Sequence, residues 1–215
     1  MVFGESITYA NDDLGRAIGG VQGVSSREDN AFLDALRAGE AAAFETLVDR
    51  YSGEIYALLC RLTSDPEEAH DLTQDTFLRA LRSVSGFRGD ASLKTWLFRI
   101  AINESRNRFR WWKRRRRDVT VSLDVSLGST DMTLHDTLAD RSETPEDAAL
   151  AREREARLGE ALSELKDIYR EAVVLCDIEG LSYEETASAL GVNLGTVKSR
   201  ISRGREELRR RLKDL

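Results

Sequence analysis

Both prolines of this chain occupy the same place in a repeated four-residue pattern. The pattern reads DPEE at residues 65–68 and TPED at residues 144–147. In each copy a polar residue can cap a helix, the proline fits the first helical position, and two acids suit the positive helix N-terminus. Both prolines therefore mark helix starts, and no proline interrupts the other stretches of the 215 residues. This distribution predicts an all-α protein.

Apolar residues between positions 41 and 62 recur at steps of three and four, which is the spacing of one buried helix face. They are Phe44, Leu47, Val48, Tyr51, Ile55, Leu58, Leu59 and Leu62. Two further periodic stretches follow, and we expect their apolar residues to be buried as well: Leu72, Phe77, Leu78 and Leu81, then Trp96, Leu97 and Ile100. We expect an N-terminal helical bundle over residues 27–117, preceded by a disordered tail over residues 1–26.

A second helical domain is predicted over residues 145–215, with four helices. Within it, residues 182–185 read SYEE, the pattern of a capping box, and Gly191 suits a tight turn after the helix that this box opens. One apolar set spans the turn and consists of Ala187, Leu190, Val192, Val197 and Ile201. Two short helices joined by a turn of three or four residues with a glycine are typical of a helix-turn-helix.

The second helix of this motif has a polar outward face. With Val197 and Ile201 turned inward, the outward residues near its N-terminus are Lys198, Ser199, Ser202 and Arg203. That is where a recognition helix meets base edges in the major groove. A solvated amphipathic helix is the alternative, but the capping box, the glycine turn and the matching apolar set together favour DNA binding.

Charge is strongly segregated along the chain. The net charge is −6, yet residues 99–117 carry nine basic residues and one acid, and residues 194–215 carry eight basic residues and three acids. Residues 118–147 carry eight acids and one base. The Ser- and Thr-rich stretch 118–144 is predicted to be an extended acidic linker. Its VTVSLDVSL segment alternates like a strand, but a lone strand has no partner in a helical chain.

Several functional classes are disfavoured by what the sequence lacks. Two isolated cysteines, Cys60 and Cys176, and two isolated histidines, His70 and His135, form no metal-ligand pattern, so we expect no metal and no cofactor. There is no nucleophile–base pair and no glycine-rich phosphate loop, and so no catalytic residue is assigned. No apolar run approaches the length of a membrane span, and the N-terminus does not resemble a secretory signal, so we expect a cytoplasmic protein.

Two long motifs resemble the extracytoplasmic-function (ECF, group four) sigma factors of the sigma-seventy family. LSYEETASALGVNLGTVKSRISRGREELRRRL, residues 181–212, resembles their C-terminal promoter-reading domain, region four. AHDLTQDTFLRALRSVSGFRGDASLKTWLFRIAINESRNRFR, residues 69–110, resembles region two. With the preceding helix, the resemblance covers residues 28–213. It implies a bacterial sigma factor that binds core RNA polymerase and directs promoter-specific transcription initiation without chemistry of its own.

The resemblance also implies site residues in region two. The polymerase-binding residues are Asp71, Leu72, Gln74 and Asp75, on a face that would otherwise pass for an ordinary solvated helix surface. The residues expected to bind and melt the minus-ten element are Arg79, Phe87, Trp96, Arg99, Asn103 and Arg106. Phe87 is expected to stack on a flipped base in a pocket lined by Asn103, although Asn103 could instead be structural and Trp96 could simply be a core residue.

In region four the resemblance assigns the minus-thirty-five element to six residues. They are Thr196, Lys198, Ser199, Arg200, Ser202 and Arg203. Ser202 stands where family members can carry a bulky aromatic residue, and this difference bears on the base preference.

The partners implied are the β′ clamp helices and β flap of core RNA polymerase, double- and single-stranded promoter DNA, and an anti-sigma factor. The acidic linker would be attracted to the positively lined template and RNA-exit channel of the polymerase, or it is a solubilising spacer. The alternative function is an autonomous helix-turn-helix regulator that dimerises on a palindrome.

Overall fold

A computed structural model describes residues 27–117 and 145–213, and every helix expected from the periodicity within these ranges is present. The N-terminal domain contains α1 (Arg27–Ala38), α2 (Ala41–Thr63), α3 (Pro66–Ser83) and α4 (Leu93–Arg117). The C-terminal domain contains α5 (Pro145–Ser163), α6 (Asp167–Val173), α7 (Tyr183–Leu190) and α8 (Leu194–Lys213). A 3₁₀ turn, Val84–Gly86, follows α3, and a π-helical segment, Val174–Ile178, continues α6.

The described residues contain no β-strand, so the all-α, two-domain prediction is confirmed. The expectations for the N-terminal tail, for the linker and for the cap at Thr144 concern residues outside the described ranges.

The helix start at Pro66 is built as its sequence predicts. The Asp65 carboxylate accepts hydrogen bonds from the backbone N–H groups of Glu67 (3.0 Å) and Glu68 (3.2 Å). These two groups have no partner inside the helix, so the side chain satisfies them. The preceding helix α2 ends at Thr63, and the next residue, Ser64, has a left-handed φ of 59° that turns the chain sharply into α3.

The core of the N-terminal domain lies between α2, α3 and α4. Its fully buried members include Leu47, Ile55, Leu58, Leu59, Leu97, Phe98 and Ile102. The expectation that Leu78 and Leu81 are buried is wrong, because their side chains are 50% and 45% exposed. The buried residues of α3 are Ala69, Leu72, Thr76, Phe77 and Ala80. Leu78 lies on the opposite side of the helix, and Leu81, one turn after Phe77, lies at the edge of the buried face.

In the C-terminal domain, α8 approaches α6 closely at a glycine. The core here is formed by Val173, Val174, Leu175, Leu190, Val197 and Ile201, together with Leu162 and Leu165 from the end of α5. Gly204 is buried on the same face of α8 as Val197 and Ile201. A Cβ atom at Gly204 would lie 2.5 Å from Val173 Cγ2 and 3.3 Å from the Tyr169 carbonyl oxygen. Gly204 is therefore required by packing, because a side chain at this position would prevent α8 from approaching α6 so closely.

The two domains also touch each other directly. Helix α4 of the N-terminal domain packs against α7 of the C-terminal domain, and α2 packs against α5 and the π-helical segment. Arginine side chains cross this interface in both directions.

Gly204→Ala should destabilise the C-terminal domain by about 1–3 kcal/mol, since the added methyl forces Val173 or the α6 backbone to move. Gly159→Ala in α5 is the matched control, because nothing lies within 4 Å of a Cβ there. The control should be neutral or more stable by up to about 1 kcal/mol, through better helix propensity. Urea denaturation followed by circular dichroism measures both variants; equal stabilities would contradict the tight contact at Gly204.

Candidate nucleic-acid and polymerase interface

The turn that presents α8 is held by hydrogen bonds at three helix ends. The Ser182 hydroxyl accepts from the Glu185 N–H (3.1 Å), while the Glu185 carboxylate accepts from the Ser182 N–H (2.9 Å), so the predicted capping box is confirmed. Gly191 ends α7 in the left-handed conformation, with φ 67°. Asn193 then opens α8, and its Oδ1 accepts from the Thr196 N–H (2.8 Å) and hydroxyl (2.9 Å). This cap was missed from the sequence, although an asparagine directly before a helix is a recognisable signal.

Helix α8 separates an apolar inner face from a polar outer face. Val197, Ile201, Gly204 and Leu208 are buried in the domain. Four of the residues predicted to contact DNA, Lys198, Ser199, Ser202 and Arg203, are exposed.

The other two predicted residues of this group, Thr196 and Arg200, are half-buried. The Thr196 hydroxyl is already used in the cap, and the Ser199 hydroxyl donates to the Thr196 carbonyl (2.9 Å). The outer face therefore offers two cationic side chains and one further hydroxyl, all within the first ten residues of the helix.

Of the residues predicted to bind the minus-ten element, three are exposed, whereas Arg106 is held in an ion pair. Arg99 and Asn103 are exposed one turn apart on α4, and Arg79 is exposed on α3. Arg106 lies on the same face of α4 as Asn103, but its guanidinium donates to both carboxylate oxygens of Glu171, from Nε at 2.7 Å and from Nη2 at 2.5 Å. These hydrogen bonds raise the pKa of Arg106 further above its ordinary high value.

Phe87 lies inside the N-terminal domain. Its side chain is 7% exposed and packs against the half-buried Trp96, with the ring centroids 5.0 Å apart. Its carbonyl oxygen accepts from Arg37 Nη2 (2.9 Å) and Nε (3.2 Å), which anchors the loop to α1. The expectation of a ring ready to stack on a base does not hold in this conformation, because the aromatic pair covers the ring. Trp96, whose role the sequence left open, packs against Phe87 in this structure.

The face predicted to bind polymerase is exposed, with one correction. Asp71, Gln74 and Asp75 lie at the surface of α3. Leu72 is 1% exposed, so it packs the helix onto the core and cannot itself contact a partner. The exposed Leu78 was missed; it lies four residues from Gln74 and seven from Asp71, spacings that place all three on one face. Asp75 also pairs with Arg108 of α4 at 3.0 Å.

The C-terminal end of α4 carries exposed aromatic residues among its cations. Phe109, Trp111 and Trp112 are all exposed, and the Arg115 guanidinium lies 4.6 Å from the centre of the Trp111 ring. Stacking of this kind holds a guanidinium over an aromatic face. The end of α4 is thus a mixed aromatic and cationic surface.

The two cysteines take no part in these surfaces. Both are free and half-buried, and burial is the main cause that raises the pKa of each thiol. Within the described ranges, no group of three or more His, Cys, Asp or Glu residues could hold a metal ion. Likewise, no helix in the described part of the chain is long and apolar enough to cross a membrane.

Comparison with known proteins identifies the class. Residues 47–117 match the family model for sigma-70 region 2, and residues 155–208 match that for sigma-70 region 4. The chain is 36% identical over 193 residues to the RNA polymerase sigma-H factor of Pseudomonas aeruginosa, covering 89% of this chain and 97% of that protein. It is 34% identical over 183 residues to the ECF RNA polymerase sigma factor SigW of Bacillus subtilis, covering 85% and 96%.

Two solved structures share the fold over most of their length. CnrH in complex with the cytosolic domain of CnrY superposes with a TM-score of 0.61 at 26% identity, covering 86% of this chain and 97% of that one. The sigma factor RpoE in complex with the anti-sigma factor NepR from Bartonella quintana superposes with a TM-score of 0.62 at 29% identity, covering 79% and 96%.

The chain belongs to the ECF group of sigma-70 family RNA polymerase sigma factors. It binds core RNA polymerase and promoter DNA and directs promoter-specific transcription initiation. This is a family of initiation subunits rather than enzymes, and the autonomous regulator is not favoured.

Asn193→Ala should lower the free energy of unfolding of the C-terminal domain by about 1 kcal/mol, because two donors at the start of α8 lose their acceptor. Asn193→Asp is the control, since a carboxylate oxygen can accept the same hydrogen bonds. Urea denaturation of both variants measures the difference. An equal loss in the two would show that the cap contributes nothing and that the effect lies elsewhere.

Proposed function

We propose that α8 reads the minus-thirty-five element and that α3 and α4 bind, open and hold the minus-ten element. The division is region two over residues 27–117, a linker over 118–144 and region four over 145–215, with residues 1–26 as an N-terminal tail. The observation that carries the proposal is the exposed row Lys198, Ser199, Ser202 and Arg203 on the capped first half of α8, opposite buried Val197 and Ile201. A helix presented in this way fits the major groove.

Upstream reading rests on a few direct contacts. A bidentate side-chain contact to a base edge contributes about 1–3 kcal/mol of discrimination against a wrong base. Arg203 has the planar guanidinium suited to guanine, whereas the short hydroxyl of Ser202 leaves room beside it. Lys198 and the half-buried Arg200 supply phosphate contacts or additional base contacts. This small set suits a reader whose affinity is completed by a second domain on the same DNA.

Downstream opening rests on α4 and the neighbouring end of α3. Arg79 and Arg99 are exposed cations that can hold a single-stranded backbone, and Asn103 offers both a donor and an acceptor to an unstacked base. Base stacking by Phe87 requires its ring to leave Trp96, so we place this contact in a rearranged loop. Capturing an unpaired base offsets the unpairing cost of a few kcal/mol.

Polymerase docking is proposed for the face of α3 that carries Asp71, Gln74, Asp75 and Leu78. The three polar residues supply directional contacts, and the half-exposed Leu78 supplies apolar area on the same face. The β′ clamp helices would take this face and the β flap would take region four. Since polymerase and chromosome share one compartment, the protein acts in the cytoplasm.

An anti-sigma factor is proposed as a further partner. Support comes from the similarity to RpoE, which is seen in complex with the anti-sigma factor NepR. Such a partner would control the protein by covering one or both of its reading surfaces.

Asn103→Ala should reduce promoter opening while leaving duplex binding nearly intact, and Arg203→Ala should weaken use of the upstream element by about tenfold. Run-off transcription with core polymerase measures promoter use, and permanganate footprinting measures opening. Asn107→Ala, one turn along α4, and Arg157→Ala on α5 are the matched controls. Unchanged melting in Asn103→Ala would refute the pocket assignment, and unchanged promoter use in Arg203→Ala would refute the upstream assignment.

Leu78→Ser should weaken binding to core polymerase by about tenfold, because a half-exposed apolar side chain is lost from the docking face. Folding should be unaffected, since the residue makes little contact with the core. Leu150→Ser on α5 removes a similarly exposed leucine and serves as the control. Fluorescence anisotropy with core polymerase gives both affinities. If Leu150→Ser binds as weakly as Leu78→Ser, the loss is not specific to this face.

A further inference from the structure

Helix α1 is bonded to the loop that begins at Phe87 through a single arginine. The Arg37 guanidinium donates two hydrogen bonds to the Phe87 carbonyl oxygen, from Nη2 at 2.9 Å and from Nε at 3.2 Å. The two residues are 50 positions apart in the chain. None of the residues proposed to contact polymerase or DNA lies on α1, so this contact links a helix without an assigned role to the loop expected to capture a minus-ten base.

The remaining terminal nitrogen of the Arg37 guanidinium is held by a neighbour on α1. Arg37 Nη1 donates to the Asp34 carboxylate at 3.1 Å, one turn earlier in the helix. All three guanidinium nitrogens are thus engaged, although the side chain is still 35% exposed. Because a guanidinium is planar and rigid, fixing Nη1 helps to aim Nη2 and Nε at the carbonyl. Hydrogen bonds from a charged donor of this kind are stronger than those between neutral groups.

Helix α1 is itself fixed on the core beside this contact. Leu36, the residue before Arg37, is only 2% exposed. The helix lies against the 3₁₀ turn Val84–Gly86, whose first residue is buried. The Phe87 N–H donates to the carbonyl of that first residue at 3.0 Å. The Phe87 backbone is therefore joined on both sides to parts of the domain that pack on its core.

The loop has few contacts between Phe87 and the start of α4. Within the described ranges, residues 88–91 form no backbone–backbone hydrogen bond, and the ion pair between Arg88 and Asp90 is exposed. The next fixed point is Ser92, whose hydroxyl accepts a backbone N–H at the start of α4 at 3.1 Å. The Phe87 carbonyl is therefore the point at which the first half of the loop is anchored.

The anchor acts on the backbone of Phe87 and leaves its ring able to move. The ring packs against Trp96 in this structure and has to leave it in order to stack on a base. Rotation about the Cα–Cβ bond moves the ring without moving the carbonyl oxygen, so both hydrogen bonds from Arg37 can persist. A ring that turns about a fixed backbone point reaches a defined position, and selection between bases requires such a defined position.

We propose that Arg37 is a positioning residue for base selection in the minus-ten element. By holding the Phe87 carbonyl to α1, it fixes the backbone point about which the ring turns out towards an unstacked base. Arg37 acts through Phe87 and not on the base itself. The inference rests on the proposed role of Phe87 in base capture. Without the anchor the loop backbone shifts, the ring reaches several positions, and the preference for one base falls.

The test uses variants of the full chain. Arg37→Met keeps an unbranched side chain and removes every donor, whereas Arg37→Lys keeps the charge and one donor group. Arg50→Ala is the control, because Arg50 is an exposed arginine of the same domain whose guanidinium lies over Tyr51 of its own helix. Phe87→Ala is measured alone and combined with Arg37→Met.

Base preference is measured in open complexes formed with core polymerase. Run-off transcription on genomic fragments supplies a promoter, its minus-ten element is randomised, and the templates recovered in heparin-resistant complexes are sequenced. The captured position is the one at which Phe87→Ala loses base preference. There, Arg37→Met should lower the preference for the best base by about fivefold, Arg37→Lys should retain part of it, and Arg50→Ala should match wild type.

The double variant separates positioning from folding. Phe87→Ala with Arg37→Met should be no less selective than Phe87→Ala alone, because both changes act through the same ring. A loss of folding stability alone lowers the recovery of all templates alike, since fewer molecules are folded, and leaves the ratio between bases unchanged.

Unchanged preference in Arg37→Met would overturn the anchor, as would a further loss of preference in the double variant or an equal loss in Arg50→Ala. The same data keep the two proposals apart. If Phe87→Ala leaves the preference at every position unchanged, the proposed base capture is contradicted and the anchor with it. A loss in Phe87→Ala without a loss in Arg37→Met contradicts only the anchor.

Discussion

A buried carboxylate in one domain is neutralised by a cation from the other. Glu171 is almost completely removed from solvent, and the charge that balances it belongs to Arg106 of α4. A buried charge that loses its partner is strongly destabilising, whereas the intact pair roughly offsets its own desolvation cost. The pair therefore adds little net stability, but it makes the position of one domain depend on the other.

Ion pairing and the uneven placement of cations also explain how a protein with a net negative charge can present DNA-binding surfaces. The net charge of −6 limits non-specific attraction to nucleic acid, while the cations are concentrated on α4 and α8. Several arginines of these helices are held in ion pairs, as Arg108 is by Asp75 and Arg205 by Asp177. On α8 the cations of the outer face, Lys198 and Arg203, are exposed. Because several other arginines of α8 are held in ion pairs, only part of the positive charge of this helix is available to contact DNA.

Local features of the fold could be predicted from the sequence because they depend on neighbours in the chain. The cap at Asp65, the capping box at Ser182 and the left-handed turn at Gly191 each follow from a few adjacent residues. The inward positions of Val197 and Ile201 follow from helical periodicity in the same way. The outer face of α8 was predictable for this reason, since it is the complement of a buried stripe.

Features that depend on a distant partner could not be predicted. Leu78 and Leu81 fit an apolar pattern equally well inside or outside, and only the packing of α2 and α4 against α3 decides that they are exposed. Phe87 is covered because Trp96, nine residues further along the chain, lies beside it. The pair between Arg106 and Glu171 joins residues 65 positions apart, and no local signal indicates it.

The π-helical segment after α6 directs one ion pair into the C-terminal domain and another across the interface between the domains. Asp177 lies within it and Glu179 just beyond, and residues two apart in a helix point in nearly opposite directions. Asp177 accordingly pairs with Arg205 of α8 inside the domain, while Glu179 pairs with Arg61 across the interface. The first pair is partly exposed, and exposed pairs contribute about 0.2–1 kcal/mol. The second pair is more buried, so losing one of its partners costs more free energy. Removing a charge should therefore destabilise the interdomain interface more than the contact between α8 and the π-helical segment inside the C-terminal domain.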